Sequence, residues 1–335
     1  MLTNSKSEIS ILKEMIFNTS DSNEFTETTL RVFYYQYHNN LVYRQFCDLL
    51  HKNPSNVNRL ESIPFIPVQF FKDHKIYSAA CIEEKIFTSS GTSGTIPSRH
   101  YVADLDLYER AFIHSFSQFY GNYSDYVVFA LLPSYLEREG SSLIYMADFF
   151  IKNSKHSQGG FFLYNHDELI KSINEALRKQ HKILLLGVTY ALLDLAENYK
   201  LDLTGIVIME TGGMKGKRQE LLREEVHDIL KNAFKISHIH SEYGMTELMS
   251  QAYSKGDGIF KCPSQMKVMI REMNDPFSFV EKGRTGGINI IDLANLYSCS
   301  FISTMDLGKI IEDESFTVSG RFDQSEIRGC NLLVQ

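Results

Sequence analysis

Short apolar segments alternate with amphipathic segments through the middle of this 335-residue chain. Residues 126–132 and 182–187 are nearly uninterrupted apolar runs, of the length and composition typical of buried strands. Residues 105–120 are predicted to form a helix, residues 169–180 have helical periodicity, and a further strand and helix are predicted over 203–209 and 219–234. The apolar stretch 63–72 contains two prolines, which predicts an extended segment rather than a helix interior. Because strands that alternate with helices form mostly parallel sheets, the sequence predicts an α/β fold with ligands at the carboxyl ends of the strands.

Composition limits the class of protein. A hydrophobic content of 43% with 12% aromatic residues supports a substantial core, whereas a net charge of −7 gives no support for nucleic-acid binding. The five cysteines are an odd number without Cys-x-x-Cys spacing, so neither a disulfide framework nor a zinc site is indicated. No signal peptide and no membrane span are recognised, and we expect a cytoplasmic protein.

A run of serine, threonine and glycine predicts a phosphate-binding loop. Its glycines allow close approach of the backbone, and its N–H groups and hydroxyls donate to anionic oxygens. The run lacks the lysine of a Walker loop and the glycine spacing of a dinucleotide fingerprint. Residues 85–87 and 99–102 predict flanking strands, and an ordinary surface loop is the alternative. The candidate phosphate-binding residues are Ser89, Ser90, Gly91, Thr92, Ser93, Gly94 and Thr95.

A second polar segment, residues 240–247, supplies a hydroxyl and a carboxylate beside a flexible glycine. The Thr246 hydroxyl can bond a phosphate oxygen, and the Glu247 carboxylate suits a Mg²⁺ ion that carries substrate phosphates. The alternative is a helix over residues 248–252, capped by Ser241 or Thr246.

Four motifs occur in the order seen in adenylate-forming enzymes, which include acyl-CoA ligases, luciferases and peptide adenylation domains. They are the Ser/Thr/Gly loop, Tyr-Gly-Met-Thr-Glu at 243–247, Asp306 in Ser-Thr-Met-Asp-Leu-Gly, and Gly-Arg-Phe-Asp at 320–323. Within that superfamily the chain more closely resembles the acyl-protein synthetase of bacterial bioluminescence, which activates fatty acid for a reductase complex. The Ser-Arg-His ending of the loop, residues 244–253 and residues 325–330 carry that likeness, which spans about residue 60 to the end.

The resemblance implies ATP-dependent activation of a carboxylic acid, with an acyl-adenylate and pyrophosphate as products. The Ser/Thr/Gly loop would hold the β- and γ-phosphates, Thr246 the α-phosphate, and Glu247 the Mg²⁺ ion. Asp306 would accept hydrogen bonds from the ribose hydroxyls, its alternative being a turn or helix-cap aspartate. ATP and Mg²⁺ are therefore the expected cofactors.

The resemblance also implies an adenine site. Gly212 and Gly213 follow a predicted strand and could let the ring lie against the backbone, although a simple strand-to-helix turn explains them equally well. Tyr243 and Gly244 are further nucleotide-binding candidates. Arg321 would lie at the edge of the nucleotide site, near the hinge, together with Asp323. Arg99 stands where many members carry a loop lysine, and its planar guanidinium carries the charge differently.

The fold implied is the large N-terminal domain of an adenylate-forming enzyme, with mostly parallel sheets flanked by helices and without the full C-terminal lid domain. Residues 1–60 are expected to form a helical N-terminal segment, and residues 61–335 the catalytic core, with 315–335 as the hinge-equivalent tail. Since no lid lysine is assigned, Cys330 is the candidate acyl acceptor, because a cysteine in this setting receives the acyl group as a thioester in the bioluminescence synthetases. Arg328 could lower the pKa of that thiol, and an inert cysteine in a final strand is the alternative.

Three functions stay open at this point. The first is an acyl-protein synthetase that loads Cys330 or a thiol of a partner. The second is a ligase that passes the acyl group to coenzyme A or to a carrier protein, and the third is a catalytically silent interaction subunit. The expected partners are a fatty or aromatic carboxylic acid and an acyl-accepting protein such as an acyl reductase or a carrier protein.

Overall fold

The computed structural model describes residues 6–78, 81–89, 96–133, 140–212, 218 and 221–322. None of the helices in these ranges combines enough length with enough apolar character to cross a bilayer. The helices are α1 (Lys6–Phe17), α2 (Ser22–Asn39), α3 (Leu41–Leu49), α4 (Phe70–Asp73), α5 (Leu105–Tyr120), α6 (Ser142–Lys152), α7 (His166–Arg178), α8 (Thr189–Asn198) and α9 (Arg223–Phe234).

The strands were expected to form a mostly parallel sheet, and the described strands form one large mixed sheet beside a separate hairpin. They are β1 (Ile66–Pro67), β2 (Lys85–Thr88), β3 (Arg99–Val102), β4 (Tyr126–Leu131), β5 (Gly160–Phe162), β6 (Lys182–Val188), β7 (Val207–Thr211), β8 (His240–Tyr243), β9 (Ala252–Ser254), β10 (Ile259–Lys261), β11 (Met266–Arg271), β12 (Gly286–Asp292), β13 (Phe301–Ile310) and β14 (Phe316–Arg321).

The large sheet has a parallel half and an antiparallel half. The order is β11-β12-β13-β14-β10-β9-β8-β7-β6-β4-β5, with β1 added in parallel to β13, while β2 and β3 form the separate hairpin. Neighbours from β8 to β5 are parallel, whereas β8 pairs antiparallel with β9 and the remaining neighbours are antiparallel. The predicted α/β fold with helices flanking the sheet is confirmed.

The parallel strands form where the sequence offers continuous apolar runs. Every residue of β4 is buried, and only Lys182 of β6 is exposed. Such runs are buried on both faces, which parallel sheets achieve by carrying helices on each side. Strands β6, β7 and β8 run in the same direction and end at Val188, Thr211 and Tyr243, so their carboxyl ends meet at one edge.

The N-terminal helices pack on the antiparallel half. Asp21 begins α2 by accepting hydrogen bonds from the backbone N–H groups of Asn23 and Glu24. Gln36 of α2 is fully buried, and its side-chain amide donates to the carbonyls of Asn295 and Leu296 at 2.9 Å each. Helix α2 therefore contacts the turn between β12 and β13.

Two sequence interpretations need correction. The alternative helix over residues 248–252 is wrong, because that stretch is a turn that leads into β9. The buried Asp292 carboxylate accepts the backbone N–H groups of Met249 at 2.7 Å and Ser250 at 3.0 Å, so these groups are not available to a helix. The segment predicted to be extended over 63–72 holds β1, but it ends in the short helix α4.

Candidate active site

Polar side chains at the edge where β6, β7 and β8 end form hydrogen bonds with one another. Glu210 of β7 accepts hydrogen bonds from the hydroxyls of Thr189 at 2.8 Å and Ser241 at 3.0 Å. Burial works against ionisation of Glu210, but His227 and Arg223 outweigh it and hold the pKa of this carboxyl below its usual value. An ionised carboxylate thus ties the ends of β7 and β8 to the start of α8.

The β2–β3 hairpin, which flanks the predicted phosphate-binding loop, meets the Thr246 segment through His100. The Nδ1 atom of this buried histidine lies 2.8 Å from the Thr246 carbonyl, and its Nε2 atom lies 2.9 Å from Asn295 Oδ1. The Asn295 side chain also donates to the Glu247 carbonyl at 2.7 Å. One imidazole and one amide therefore join two motifs that are distant in sequence.

Glu247 lies inside this junction. Its side chain is buried, and burial raises the pKa of its carboxyl, while a hydrogen bond from Ser98 and the positive charge of Arg321 oppose that rise. Ser98 belongs to the end of the loop, and its backbone N–H donates to Ser89 Oγ at 2.9 Å. The two ends of the predicted phosphate-binding loop and the predicted Mg²⁺ ligand are consequently close together.

Asp306 forms a second polar group with the residues predicted to surround the nucleotide. Its carboxylate accepts a hydrogen bond from the Tyr243 hydroxyl at 2.8 Å and pairs with Arg321 Nε at 2.8 Å. The pairing follows from the register of β13 with β14, which places Asp306 opposite Arg321. The carboxylate is buried and the guanidinium side chain is 75% exposed, so solvent screens this ion pair.

The structure brings together part of the predicted set. Thr246 and Glu247 contact the hairpin, Tyr243 and Asp306 contact each other, and Arg321 lies close enough to affect both carboxyls. Asp306 is part of strand β13, so the alternative that it caps a helix is wrong.

The other predicted residues are not part of the hydrogen-bonded groups around Glu247 and Asp306. Gly212 has a φ of +78°, which suits a glycine at the strand end, and Gly244 directly follows β8. Arg99 lies in β3 and is exposed, with no contact to Glu247 or Asp306 among the described interactions. Outside the described residues lie Ser90, Gly91, Thr92, Ser93, Gly94, Thr95, Gly213, Asp323, Arg328 and Cys330.

Sequence reasoning missed three buried side chains that organise the site. His100 had been noted only as part of a family motif, and neither Asn295 nor Asp292 had been assigned a role. All three are almost completely buried and hydrogen-bond to the segment from Thr246 to Ser250. No local sequence signal identifies such partners, because each bond joins residues far apart along the chain.

The N-terminal part of the chain adds a family likeness. Residues 5–112 match the family model LuxE: Acyl-protein synthetase, LuxE. The match confirms the resemblance predicted from the motifs, although it covers the N-terminal helices and the loop rather than the region after residue 112. No curated protein matches the chain.

Solved structures of adenylate-forming enzymes share the fold. The ATP-bound RpMatB-BxBclM chimera B1 has a TM-score of 0.55 at 15% identity, covering 74% of this chain and 49% of that chain. ATP-bound MatB from Rhodopseudomonas palustris has a TM-score of 0.53 at 14% identity over the same shares, 74% and 49%. A 2-hydroxyisobutyryl-CoA ligase in complex with 2-HIB-AMP and CoA has a TM-score of 0.68 at 14% identity, covering 92% and 70%. The chain spans about half the length of the first two, and identities this low establish the fold alone.

Proposed function

We propose that this protein uses ATP to activate a carboxylic acid as its acyl-adenylate, with release of pyrophosphate, and then transfers the acyl group to a protein thiol. The observation that carries the proposal is the junction of Ser98 and His100 with Thr246 and Glu247, beside the Asp306 group. The adenylate-forming fold and the match of residues 5–112 to acyl-protein synthetases support the same reaction.

In this proposal the triphosphate lies between the loop and the Thr246 segment. Residues 89–95 donate backbone N–H groups and hydroxyls to the β- and γ-phosphates, and Thr246 donates to the α-phosphate. Arg99 supplies positive charge from the outer end of the loop. Donors that are fixed before the reaction stabilise charge that develops on phosphate oxygens, and the link from His100 to the Thr246 carbonyl holds the Thr246 segment for that purpose.

Glu247 fits the role of a Mg²⁺ ligand. Its carboxylate is a hard oxygen donor, and its raised pKa indicates a buried site in which a cation would favour the ionised form. No cluster of three or more acidic, histidine or cysteine side chains occurs in the described ranges, which agrees with an ion held mainly by substrate phosphates. Magnesium bound there would neutralise phosphate charge.

The nucleoside lies on the Asp306 side. Asp306 accepts hydrogen bonds from the ribose hydroxyls, and Tyr243 and Arg321 hold its carboxylate in place. Gly212 and Gly213 accommodate the adenine ring at the end of β7, and Gly244 lets the phosphates approach the backbone of the following turn.

Bound in this way, the acid and the α-phosphate are held for one displacement. A carboxylate oxygen forms a bond to the α-phosphorus, and the bond from that phosphorus to the bridging oxygen breaks, so pyrophosphate leaves with both electrons. The protein's contribution is to align two anions that would otherwise repel each other. Thr246 and the loop stabilise the charge on the transferred group.

Cys330 is the proposed acceptor. Its thiolate attacks the acyl carbon, a thioester forms, and AMP leaves with the carboxyl oxygen that it had gained. By the family resemblance, the acid is a fatty acid. The final acyl acceptor is an acyl reductase or a carrier protein, and the reaction takes place in the cytoplasm. Transfer to coenzyme A is the second candidate, because the hydroxyisobutyryl-CoA ligase of the same fold is described with CoA.

Acid-dependent ATP–pyrophosphate exchange tests the adenylation step, across short, long-chain and aromatic acids. Glu247→Gln should abolish exchange, while Glu27→Gln on the exposed surface of α2 is the matched control and should retain it. Intact-mass analysis then tests the transfer, since Cys330→Ala should keep exchange and lose the acyl mass. Exchange without any acyl adduct would favour coenzyme A or a carrier, and no exchange with any acid would refute the proposal in favour of a silent subunit.

A further inference from the structure

The short helix α4 begins beside the strand that carries the proposed ribose ligand. Strand β1, which precedes the helix, pairs with β13, and the backbone N–H of Val68 donates to the Ser303 carbonyl at 2.9 Å. The side-chain amide of Gln69 then donates to the sulfur of Met305, the residue before Asp306. These bonds fix the start of α4 against β13.

The other side of α4 lies against the β2–β3 hairpin. The buried ring of Phe71 makes an edge contact with the imidazole of His100, with 5.8 Å between the ring centroids. The Nδ1 atom of His100 lies 2.8 Å from the Thr246 carbonyl. Helix α4 is therefore held between the strand of Asp306 and the segment that carries Thr246 and Glu247.

Lys72 is the basic residue of this anchored helix, and its charge is available. Its side chain is exposed, and none of the ion pairs in the described ranges includes it. Lys75, three residues further on, differs, because its ammonium group pairs with Glu83 at 3.0 Å and lies over the ring of Tyr77. An unpaired surface lysine is ordinary, so the neighbours of Lys72 decide whether it has a role.

The neighbour that matters is the buried carboxyl of Glu247. Burial raises the pKa of this carboxyl, and a hydrogen bond from Ser98 and the positive charges of Arg321 and Lys72 oppose the rise. Arg321 already pairs with Asp306 at 2.8 Å. Lys72 thus places a cation beside the proposed Mg²⁺ ligand, and its hydrogen bonds remain for a substrate.

Helix α4 also lies where the predicted phosphate-binding loop ends. Ser98 closes the loop that is proposed to hold the β- and γ-phosphates, and its side chain hydrogen-bonds Glu247. Strand β3 begins at the next residue and packs against α4. Negative charge builds on the bridging oxygen as pyrophosphate departs, and a cation held at this end of the site stabilises that charge.

We infer that Lys72 is a catalytic residue, whose ammonium group donates hydrogen bonds to the β- and γ-phosphates of ATP and to the pyrophosphate that leaves. The inference rests on the proposed adenylation and adds a phosphate contact from outside the recognised motifs. When the bond from the α-phosphorus to the bridging oxygen breaks, its electron pair goes to pyrophosphate. Lys72 stays protonated throughout and balances the added negative charge.

Calorimetric titration with ATP and with AMP, in magnesium buffer without any acid, tests this contact directly. AMP keeps the nucleoside and the α-phosphate but lacks the two phosphates assigned to Lys72. Lys72→Met preserves the length of the side chain and removes its charge. It should weaken ATP binding by about 10- to 100-fold, the range expected for loss of a charged hydrogen bond, and leave AMP binding unchanged.

Two further variants assign the effect to the charge of Lys72. Lys72→Arg keeps a cation with a different geometry, so it should recover part of the affinity for ATP. Lys75→Met is the matched control, because it removes a lysine of the same segment whose charge is paired with Glu83. This change should leave the affinities for ATP and AMP unaltered.

Pyrophosphate exchange separates this inference from the proposed reaction. Where an acid supports exchange, Lys72→Met should raise the KM for pyrophosphate. An unchanged KM with unchanged ATP affinity refutes the contact and leaves adenylation standing, and an equal loss of ATP and AMP affinity also overturns the contact. If no acid supports exchange, adenylation is refuted. A selective loss of ATP affinity in Lys72→Met would then still uphold the contact, and a wild-type protein that binds no ATP would overturn it.

Discussion

His100 offers the most direct test of how the site is held together. Burial lowers the pKa of His100, so its imidazole is neutral near pH 7 and carries one N–H. His100→Ala removes the ring and leaves one of two buried acceptors, the Thr246 carbonyl or Asn295 Oδ1, without its donor. An unsatisfied buried group costs about 1–3 kcal/mol, so the change should lower the free energy of unfolding by about 1–3 kcal/mol. The lost anchor should also displace the Thr246 segment, and a misplacement of about 1 Å can reduce a rate about 100-fold.

Conservative variants separate positioning from stability. His100→Asn places an amide N–H near the former Nδ1 atom and can still donate to Thr246, whereas His100→Gln reaches only the position of Nε2, opposite Asn295. Exchange should therefore recover more fully in the asparagine variant. Urea denaturation measures the free energy of unfolding, and steady-state exchange gives kcat and KM for ATP separately for each variant.

Gln36→Leu is the matched control for this experiment. Gln36 is as buried as His100 and bonds the same β12–β13 turn, but it makes no contact with Thr246. It should lose a comparable amount of stability and keep most of its kcat under conditions where it is folded. If Gln36→Leu loses as much kcat as His100→Ala, or if both His100 amides are equally inactive, the positioning role is refuted.

Three further changes give separate outcomes. Asp306→Asn should reduce exchange by about 100-fold through a higher KM for ATP, since it weakens the partner of Tyr243 and Arg321, and an unchanged KM would contradict the ribose role. Burial raises the pKa of Glu242 from 4.5, its value in the unfolded chain, to about 7 in the folded protein. The contribution of the protonated carboxyl to the free energy of unfolding is therefore fully present below pH 4.5 and is lost as the pH rises through 7. Glu242→Gln should thus gain up to about 3 kcal/mol over wild type between pH 5 and pH 8 in urea denaturation, and a pH-independent difference would refute this. Asp292→Ala should lower the free energy of unfolding by about 3 kcal/mol or more by leaving buried N–H groups unpaired, measured in the same way, and a loss under about 1 kcal/mol would contradict it.

Local pattern was enough for several elements. The helix predicted over residues 105–120 is α5, from Leu105 to Tyr120, because its apolar periodicity and its N-cap at Asp104 are written in consecutive residues. The strands predicted over 126–132 and 182–187 are β4 and β6 to within a residue at their C-terminal ends. The strand predicted over 203–209 instead begins at Val207, since Thr204 and Gly205 form a turn in which Gly205 has a φ of +86°.

The candidate site also has a part that the sequence predicted and a part that only the structure shows. Thr246 and Glu247 could be proposed because a hydroxyl and a carboxylate stand together in one segment, and Asp306 could be proposed from the resemblance to adenylate-forming enzymes. Whether they meet is another matter. His100 and Thr246 are separated by 146 positions, and only the tertiary fold brings the hairpin, which is separate from the large sheet, onto that segment. The helix considered for residues 248–252 failed for the same reason, because Asp292 competes for the backbone N–H groups from another strand.

Sequence by itself therefore determined the α/β class, most of the elements and the candidate phosphate, metal and ribose ligands. Tertiary structure decided the mixed sheet and the buried links through His100, Asn295 and Asp292. The physical reason is the range of the interactions. Periodicity, caps and turn residues act between neighbours in the chain, whereas a buried polar group takes whichever partner the fold brings within hydrogen-bonding distance.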